Sequence, residues 1–449
     1  MAKKLSFCTH FLPFSPFIAQ LCNLKKSSTA HKTVDFRFIS KRSNEFIFKS
    51  TVLLLVLLFS SCRGQEKSNN PIAENVKTDT IQPVEVAANR SSQYLPLLKG
   101  KAIGIIANQT SVVFKEKGHT HLVDSLLSLE IKVEKVFAPE HGFRGKADAG
   151  EYVKDGMDAK TGLPIVSLYG KNRKPSKEQL QHIDMIVFDI QDVGVRFYTY
   201  IATLQLVMEA CANNNIPILV LDRPNPNGHY VDGPTMKEEH TGFLGMTEIP
   251  LVYGMTIGEY AQMINGEGWL ENGKKANLTV VQLKNYTHDT SYHLPIRPSP
   301  NLPSDTAINL YPSLGLFEGT NVNAGRGTEF QFQRYGASFL DSTTYDFSYV
   351  PQPNFGSKHP KEEGKKCFGK DLSKTERMDS VSLQWLIDAY GNSVDKSNFF
   401  KTSSFTKHAG TPKLQKQIEA GSTEQEIKDS WQEELEAFKN IRKKYLIYD

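Results

Sequence analysis

The chain has 449 residues, 39% of them hydrophobic and 23% charged, with 53 Lys and Arg against 49 Asp and Glu for a formal net charge of +4. That length supports two or three ordinary domains with a sizeable core. A composition so close to the globular average excludes collagen-like, coiled-coil and wholly disordered proteins, and a single apolar run longer than six residues excludes a multi-span membrane protein.

That run, 52–59, is far short of the ~20 residues that cross a bilayer. It has the length of a signal-peptide hydrophobic core, and Lys41, Arg42 and Lys49 precede it as a basic flank. Phe59-Ser60-Ser61-Cys62 follows and resembles the lipobox of bacterial lipoproteins, in which Cys62 would become the lipidated N-terminus after cleavage. An ordinary cleaved signal with an incidental cysteine is the plainer alternative. Residues 1–61 are therefore expected to be a leader and signal, with 1–40 an upstream extension. The leader holds nine Lys and Arg against two acids, a surplus of seven, so the rest of the chain carries −3. The positive charge thus leaves with the leader, and no nucleic-acid partner is implied. The expected location is periplasmic, lipid-anchored, at the outer membrane. Of the five cysteines, only Cys211 and Cys367 remain beyond Cys62, which is neither a disulfide framework nor a zinc spacing. Residues 62–95, rich in Ser, Asn, Gln, Lys and Glu, read as a flexible tether.

From residue 100 onward, short β-branched runs alternate with amphipathic stretches. Strands are expected at 102–107, 133–138, 165–168, 185–190 and 216–221, with helices at 121–129, 176–182 and 199–213. Near-continuous apolar strands separated by helices indicate a parallel sheet covered on both faces, a Rossmann-like α/β architecture. No G-x-G-x-x-G follows the first strand, so no dinucleotide, and no other cofactor, is expected. In such sheets ligands bind outside the carboxyl ends of the strands. Those ends carry Asn108; then Glu140, His141 and Arg144; then Tyr169; then Gln191, Asp192 and Arg196; then Asp222, Arg223 and Asn225. Each residue alone also has a structural reading: Asp222 could cap a turn, and one Arg–Asp pair could be a buried ion pair. Convergence of five strand ends on polar groups favours a site.

After residue 240 the alternation weakens and Pro and Gly increase. Thr256 and Glu259 form a capping box at the start of a helix, which accounts for Glu259 structurally. A strand is expected at 278–283. Loops carrying Asn301, Glu318, Asn321 and Arg326 follow, and a single amphipathic helix over 423–445 ends the chain with a core-packing apolar stripe. The division expected is a Rossmann-like catalytic domain at 96–240 and a smaller α+β domain at 241–449 that completes the cleft.

No metal motif, nucleophile elbow or P-loop is present. Without a nucleophilic Ser or a metal, an esterase or deacetylase is disfavoured. A cleft rich in carboxylates and arginines suits glycoside hydrolysis, in which one carboxyl protonates the leaving oxygen and another supports the anomeric centre. Glu140, between Pro139 and His141 at a strand end, is the first choice for the acid. Arginines in the cleft point to a substrate bearing a carboxylate or phosphate.

The segments PEHGFRG, QDVGVRFYTY, DRPNPNG, PSPNLP, EGTN and GRGT, in this order, together with the terminal R-x-x-Y-L-I-Y, resemble the NamZ-type exo-β-N-acetylmuramidases, a glycoside hydrolase family formerly of unknown function. The resemblance runs from about Gly104 to Tyr448. It implies a Rossmann-like domain followed by a smaller C-terminal domain with the cleft between them. It also implies removal of N-acetylmuramic acid from the non-reducing ends of peptidoglycan fragments. The lactyl carboxylate of that sugar would meet one of Arg144, Arg196 or Arg326. The second catalytic group stays open between Asp192 and Glu318, or one of these could orient the 2-acetamido group in a substrate-assisted reaction. A muropeptide-binding lipoprotein without catalysis is the alternative. The chain departs from the family pattern at Gln331 and Ser338, where prolines are usual.

Overall fold

Runs of Ile, Val and Leu without polar interruption form the centre of the fold. The structure, a computed structural model, describes residues 82–145 and 155–449; the expected signal segment, Cys62 and the first part of the tether lie outside the described residues. The described chain opens with α1 (Ser91–Leu98), β1 (Ile103–Ala107), the hairpin of β2 (Val112–Phe114) and β3 (His119–His121), α2 (Leu122–Ser128) and β4 (Val133–Ala138). Next come β5 (Gly156–Met157), β6 (Pro164–Ser167), β7 (Met185–Asp189), α3 (Tyr200–Asn214), β8 (Ile218–Leu221), α4 (Ile257–Gly266) and β9 (Leu278–Val281).

These strands make a seven-stranded sheet in the order β5-β6-β4-β1-β7-β8-β9. All pairings are parallel except the short edge strand β5. Counted along the chain, the six parallel strands lie 3-2-1-4-5-6, the doubly wound Rossmann order. β1, β7 and β8 are buried at every residue, as strands covered on both faces must be. The chain leaves β1 on one side for β4 and returns on the other for β7, so their following loops diverge and open a crevice at the carboxyl edge. The sheet takes its last strand, β9, from beyond residue 240.

The stretch 82–95, expected as tether, is folded from its first described residues. A 3-10 turn at Ala87–Asn89 leads into α1, and Val86, Ala87, Ala88 and Tyr94 are buried against the same sheet face as Ile105 and Leu126. Glu85 and Lys284 exchange backbone hydrogen bonds of 2.9 and 3.0 Å. The apolar residues here were too few to outweigh the polar composition, yet they cover a face that would otherwise meet water. The helix expected at 176–182 is only a turn, closed by Leu180 N–H to Ser176 O at 3.1 Å.

The second half is smaller and mixed. It contains α5 (Asp305–Leu314), a 3-10 turn at Gly315–Gly319, and a three-stranded antiparallel sheet, β10 (Arg334–Ala337), β11 (Phe347–Tyr349) and β12 (Cys367–Asp371), with β12 in the middle. Then follow α6 (Gln384–Gly391), α7 (Thr402–Ala409), α8 (Lys413–Glu419), α9 (Glu424–Asp429) and α10 (Gln432–Arg442). The single terminal helix expected is thus two, broken at Ser430–Trp431, where the Ser430 hydroxyl turns back on Ile427 O at 2.7 Å. Ile427, Trp431, Leu435 and Phe438 nevertheless form the expected buried stripe.

The last residues strap the second half onto the first. Glu259 closes the capping box on Thr256 and also accepts from Ile447 N at 2.8 Å. The Tyr448 hydroxyl donates to Asp222 Oδ2 and accepts from Leu283 N, both at 2.7–2.8 Å.

Candidate active site

β4 ends in a tight turn. His141 adopts a left-handed φ of 69°, rare for a residue with a β-carbon, and Gly142 follows at 76°. That turn lifts Glu140 to the crevice edge, where the Thr199 hydroxyl donates to its Oε2 at 2.9 Å. The His141 ring is buried and meets the Ser299 hydroxyl at 3.2 Å. From the other side, the 3-10 turn after α5 presents Glu318, and the GRGT loop presents Arg326. Gly325 and Gly327 flank Arg326 at φ 77° and 79°. A β-carbon on Gly327 would stand 2.6 Å from the Pro360 ring, so the loop needs glycine on both sides to aim the guanidinium.

Glu140, His141, Asn301, Glu318 and Arg326 line one cleft of about 150 Å³ with Tyr198, Thr199, Ser299, Tyr311, Phe332 and His408. Arg326 donates to Glu318 Oε2 at 3.1 Å. Burial works against a charged Glu318, but the Lys361 ammonium, the Arg326 guanidinium and His408 outweigh it and hold the carboxyl at about 2. Glu318 is therefore an anion at any physiological pH. Burial pushes His408 below its ordinary value, and its Nδ1–H donates to Ser404 O at 2.8 Å. Phe197, Tyr311 and Phe332 pack edge-to-face with centroids 4.8–5.1 Å apart, giving the cleft an aromatic wall. Tyr311 lies in the field of both carboxylates; burial, then Glu318 and Glu140, raise its hydroxyl pKa. Two carboxylates from separate halves of the chain, an arginine and an aromatic wall suit a sugar bearing an acidic group.

Two family models match in succession: exo-β-N-acetylmuramidase NamZ, N-terminal, over residues 103–306, and its C-terminal counterpart over 309–448. The chain belongs to the NamZ exo-β-N-acetylmuramidase family. The peptidoglycan β-N-acetylmuramidase NamZ of Bacillus subtilis is 37% identical, with 89% of this chain and 98% of that protein covered. Two crystal structures of DUF1343 family proteins from Bacteroides fragilis share the fold. One has a TM-score of 0.75 at 43% identity and the other 0.68 at 27%, each covering 82% of this chain and 99% of its own.

Several residues expected at the NamZ cleft lie elsewhere. Arg144 pairs with Asp158 at 2.7 Å and Asp124 at 3.3 Å. Arg196 is fully buried and donates to the carbonyls of Pro234, Ile249 and His408 at 2.7–2.9 Å, a staple rather than a ligand for substrate. Arg223 forms a buried bidentate pair with Asp189 at 2.6 and 2.9 Å. Asp222 caps α4, accepting from Gly258 N and the Thr256 hydroxyl at 2.8 and 2.7 Å. Gln191 donates to Pro224 O at 2.6 Å and Asn225 to Met255 O at 2.8 Å. Asn108 accepts from Thr110 N at 2.8 Å, closing the turn after β1. Asn321 donates to Asn398 O at 2.5 Å. Asp192 is buried outside the cleft lining, held by Gly194 N and the Tyr253 hydroxyl; burial lifts its carboxyl to about 6 against those donors. Apart from Arg144, which serves two aspartates, these residues sit at strand ends or loop crossings where backbone groups need partners.

Sequence reasoning missed Thr199, Tyr311, Phe332 and His408. Thr199 lies inside QDVGVRFYTY, directly after Phe197 and Tyr198 in the loop between β7 and α3, and was within reach. Tyr311 and His408 belong to α5 and α7, which reach the cleft only through tertiary packing. At the two departures from the family pattern, Gln331 is buried and Ser338 N–H donates to Glu362 Oε2 at 2.9 Å, a bond proline could not make.

Proposed function

We propose that this protein is an exo-acting β-N-acetylmuramidase, a glycosidase that releases N-acetylmuramic acid from the non-reducing ends of peptidoglycan fragments during cell-wall turnover. The observation that carries the site assignment is the meeting of Glu140, Glu318 and Arg326 in one cleft. In this reading Glu140, braced by Thr199, protonates the glycosidic oxygen as the bond breaks. Glu318 remains charged and supports positive charge at the anomeric carbon or orients the 2-acetamido group. Of the three arginines proposed for the lactyl carboxylate, Arg326 alone lines the cleft, and the other two are engaged by aspartates or carbonyls. Incubation with a disaccharide ending in N-acetylmuramic acid should release the free sugar. Glu140→Gln should lower kcat/KM by about 10²–10⁴-fold, the usual share of a general acid. Full activity of that variant would sink the assignment of Glu140, and no release by the parent would sink the function.

We also propose that the mature protein begins at a lipidated Cys62 and faces the periplasm from the outer membrane. Support comes from the basic flank, the short apolar run and the lipobox-like Phe59-Ser60-Ser61-Cys62. Among the described residues no helix is long and apolar enough to cross a membrane. Cys62→Ser should move the protein from the membrane to the soluble fraction; membrane retention of that variant would refute the anchor.

A further inference from the structure

Next to the cleft lies a second and larger depression that the proposed chemistry does not use. It is a groove of about 480 Å³ between the loop after β6 and the segment Thr241–Met246, and it contains Lys171, Arg173 and Lys174. Lys174 is already committed, to Glu209 at 3.0 Å and Glu271 at 2.9 Å. The other two cations are not. Lys171 and Arg173 are exposed, and neither makes an ion pair or hydrogen bond among the described residues. The Arg173 guanidinium instead lies 4.2 Å over the Phe243 ring, a contact that uses the face of the guanidinium and none of its N–H donors.

Two connections join this groove to the cleft. Gly242 and Gly245 exchange backbone hydrogen bonds of 2.9 Å, making a tight hairpin. On that hairpin Leu244 lines the cleft while Gly242 and Phe243 line the groove, so one thin wall separates the two depressions. Beneath it, β6 pairs with β4, and Leu168 N–H donates to Ala138 O at 2.8 Å. The basic loop therefore starts two residues from Glu140 across the sheet, and Asn172 braces it through Ser167 O at 2.8 Å.

An exo-acting glycosidase that holds the terminal sugar in the cleft must let the rest of the glycan leave past the acid that protonates the bond. Peptidoglycan glycan alternates two sugars, so the next negative charge lies two residues along, on the following muramoyl unit. It is either a free lactyl carboxylate or, where a peptide is attached, a peptide carboxylate. We propose that the groove receives this continuation of the chain and that Lys171 and Arg173 hold that carboxylate. The proposal rests on the β-N-acetylmuramidase reading and adds a preference for longer, anionic substrates.

The test compares the purified protein and its Lys171→Ala/Arg173→Ala variant on three substrates ending in N-acetylmuramic acid: a disaccharide, the corresponding tetrasaccharide and a peptide-bearing tetrasaccharide. The parent should favour a tetrasaccharide over the disaccharide. The variant should lose about threefold to tenfold in kcat/KM on a tetrasaccharide, as expected for one or two exposed charge pairs, with the disaccharide unchanged. The loss should shrink at high salt. A loss confined to the peptide-free tetrasaccharide identifies the lactyl carboxylate, and one confined to the peptide-bearing form identifies the peptide. An unchanged ratio between long and short substrates, or an equal loss on all three, overturns the groove assignment while leaving the enzyme reading intact. Failure of the parent to cleave any of them overturns both.

Discussion

At the scale of single residues, the cleft separates two carboxylates that looked equivalent in the sequence. Asp192 and Glu318 were both candidates for the second catalytic group. Only Glu318 lines the cleft, and its neighbours Lys361, Arg326 and His408 keep it ionised. Glu318→Gln should therefore cost about 10²-fold or more in kcat/KM, whereas Asp192→Asn should leave kcat/KM within about tenfold and act mainly on stability. Equal losses in the two variants would reopen the choice. The pH behaviour follows from the same cluster. A carboxyl depressed to about 2 contributes its charge at every pH above that value and loses it only as the pH falls through it. The parent's pH profile should thus show no acid limb from Glu318 in the working range. Lys361→Met removes the charge that most opposes its protonation, so an acid limb should enter at about pH 3–5, nearer the ordinary carboxylate range. A profile identical to the parent's would show that Lys361 does not set the state of Glu318. These distinctions were invisible in the sequence because they depend on Lys361 and His408, which belong to no motif with Glu318.

At the scale of elements, the strands were legible because Ile, Val and Leu runs buried on both faces leave little choice of conformation. The polar strand ends were harder to read. Gln191, Asp222, Arg223 and Asn225 stand where ligands usually bind, but all four are buried, and they serve buried backbone groups instead. Motif position alone could not separate an uncovered loop from a covered one. The GRGT loop is the converse case, since its glycines have a function that spacing already suggested. Gly325→Ala would force a β-carbon into a left-handed residue, at about 1–2 kcal/mol, and against the Phe330 carbonyl. Because the strain falls on the backbone that aims Arg326, KM should rise together with a loss of thermal stability. A stability loss without any change in KM would mean that Arg326 keeps its position through its bonds to Glu318 Oε2 at 3.1 Å and the Gly356 carbonyl at 3.3 Å, whatever the loop backbone does.

At the scale of the molecule, the cleft exists only while the two halves stay docked, and the terminal segment does much of that docking. Arg442 donates to Gly254 O at 2.9 Å through Nε, Ile447 N–H reaches Glu259, and Tyr448 bridges Asp222 on β8's loop to Leu283 beyond β9. The R-x-x-Y-L-I-Y signature is therefore a clamp on the Rossmann sheet rather than part of the chemistry, which its position at the end of the chain could not reveal. Removing the Tyr448 hydroxyl would take one donor from the fully buried Asp222 and leave Leu283 N–H without its acceptor. An unmet buried group costs about 1–3 kcal/mol, so Tyr448→Phe should lower unfolding free energy by that order while kcat at moderate temperature stays close to the parent's. Deleting residues 442–449 should do more. With the strap gone, the sheet domain and the smaller domain no longer share those buried bonds, and the single cooperative denaturant transition expected of the intact protein should separate into two. Activity should fall with the first of them, since Glu140 and Glu318 come from opposite sides of the cleft. A truncated protein that still unfolds in one transition, at the parent's midpoint, would show that the apolar core joining Phe317, Tyr335 and Leu435 to the sheet holds the halves together without the strap.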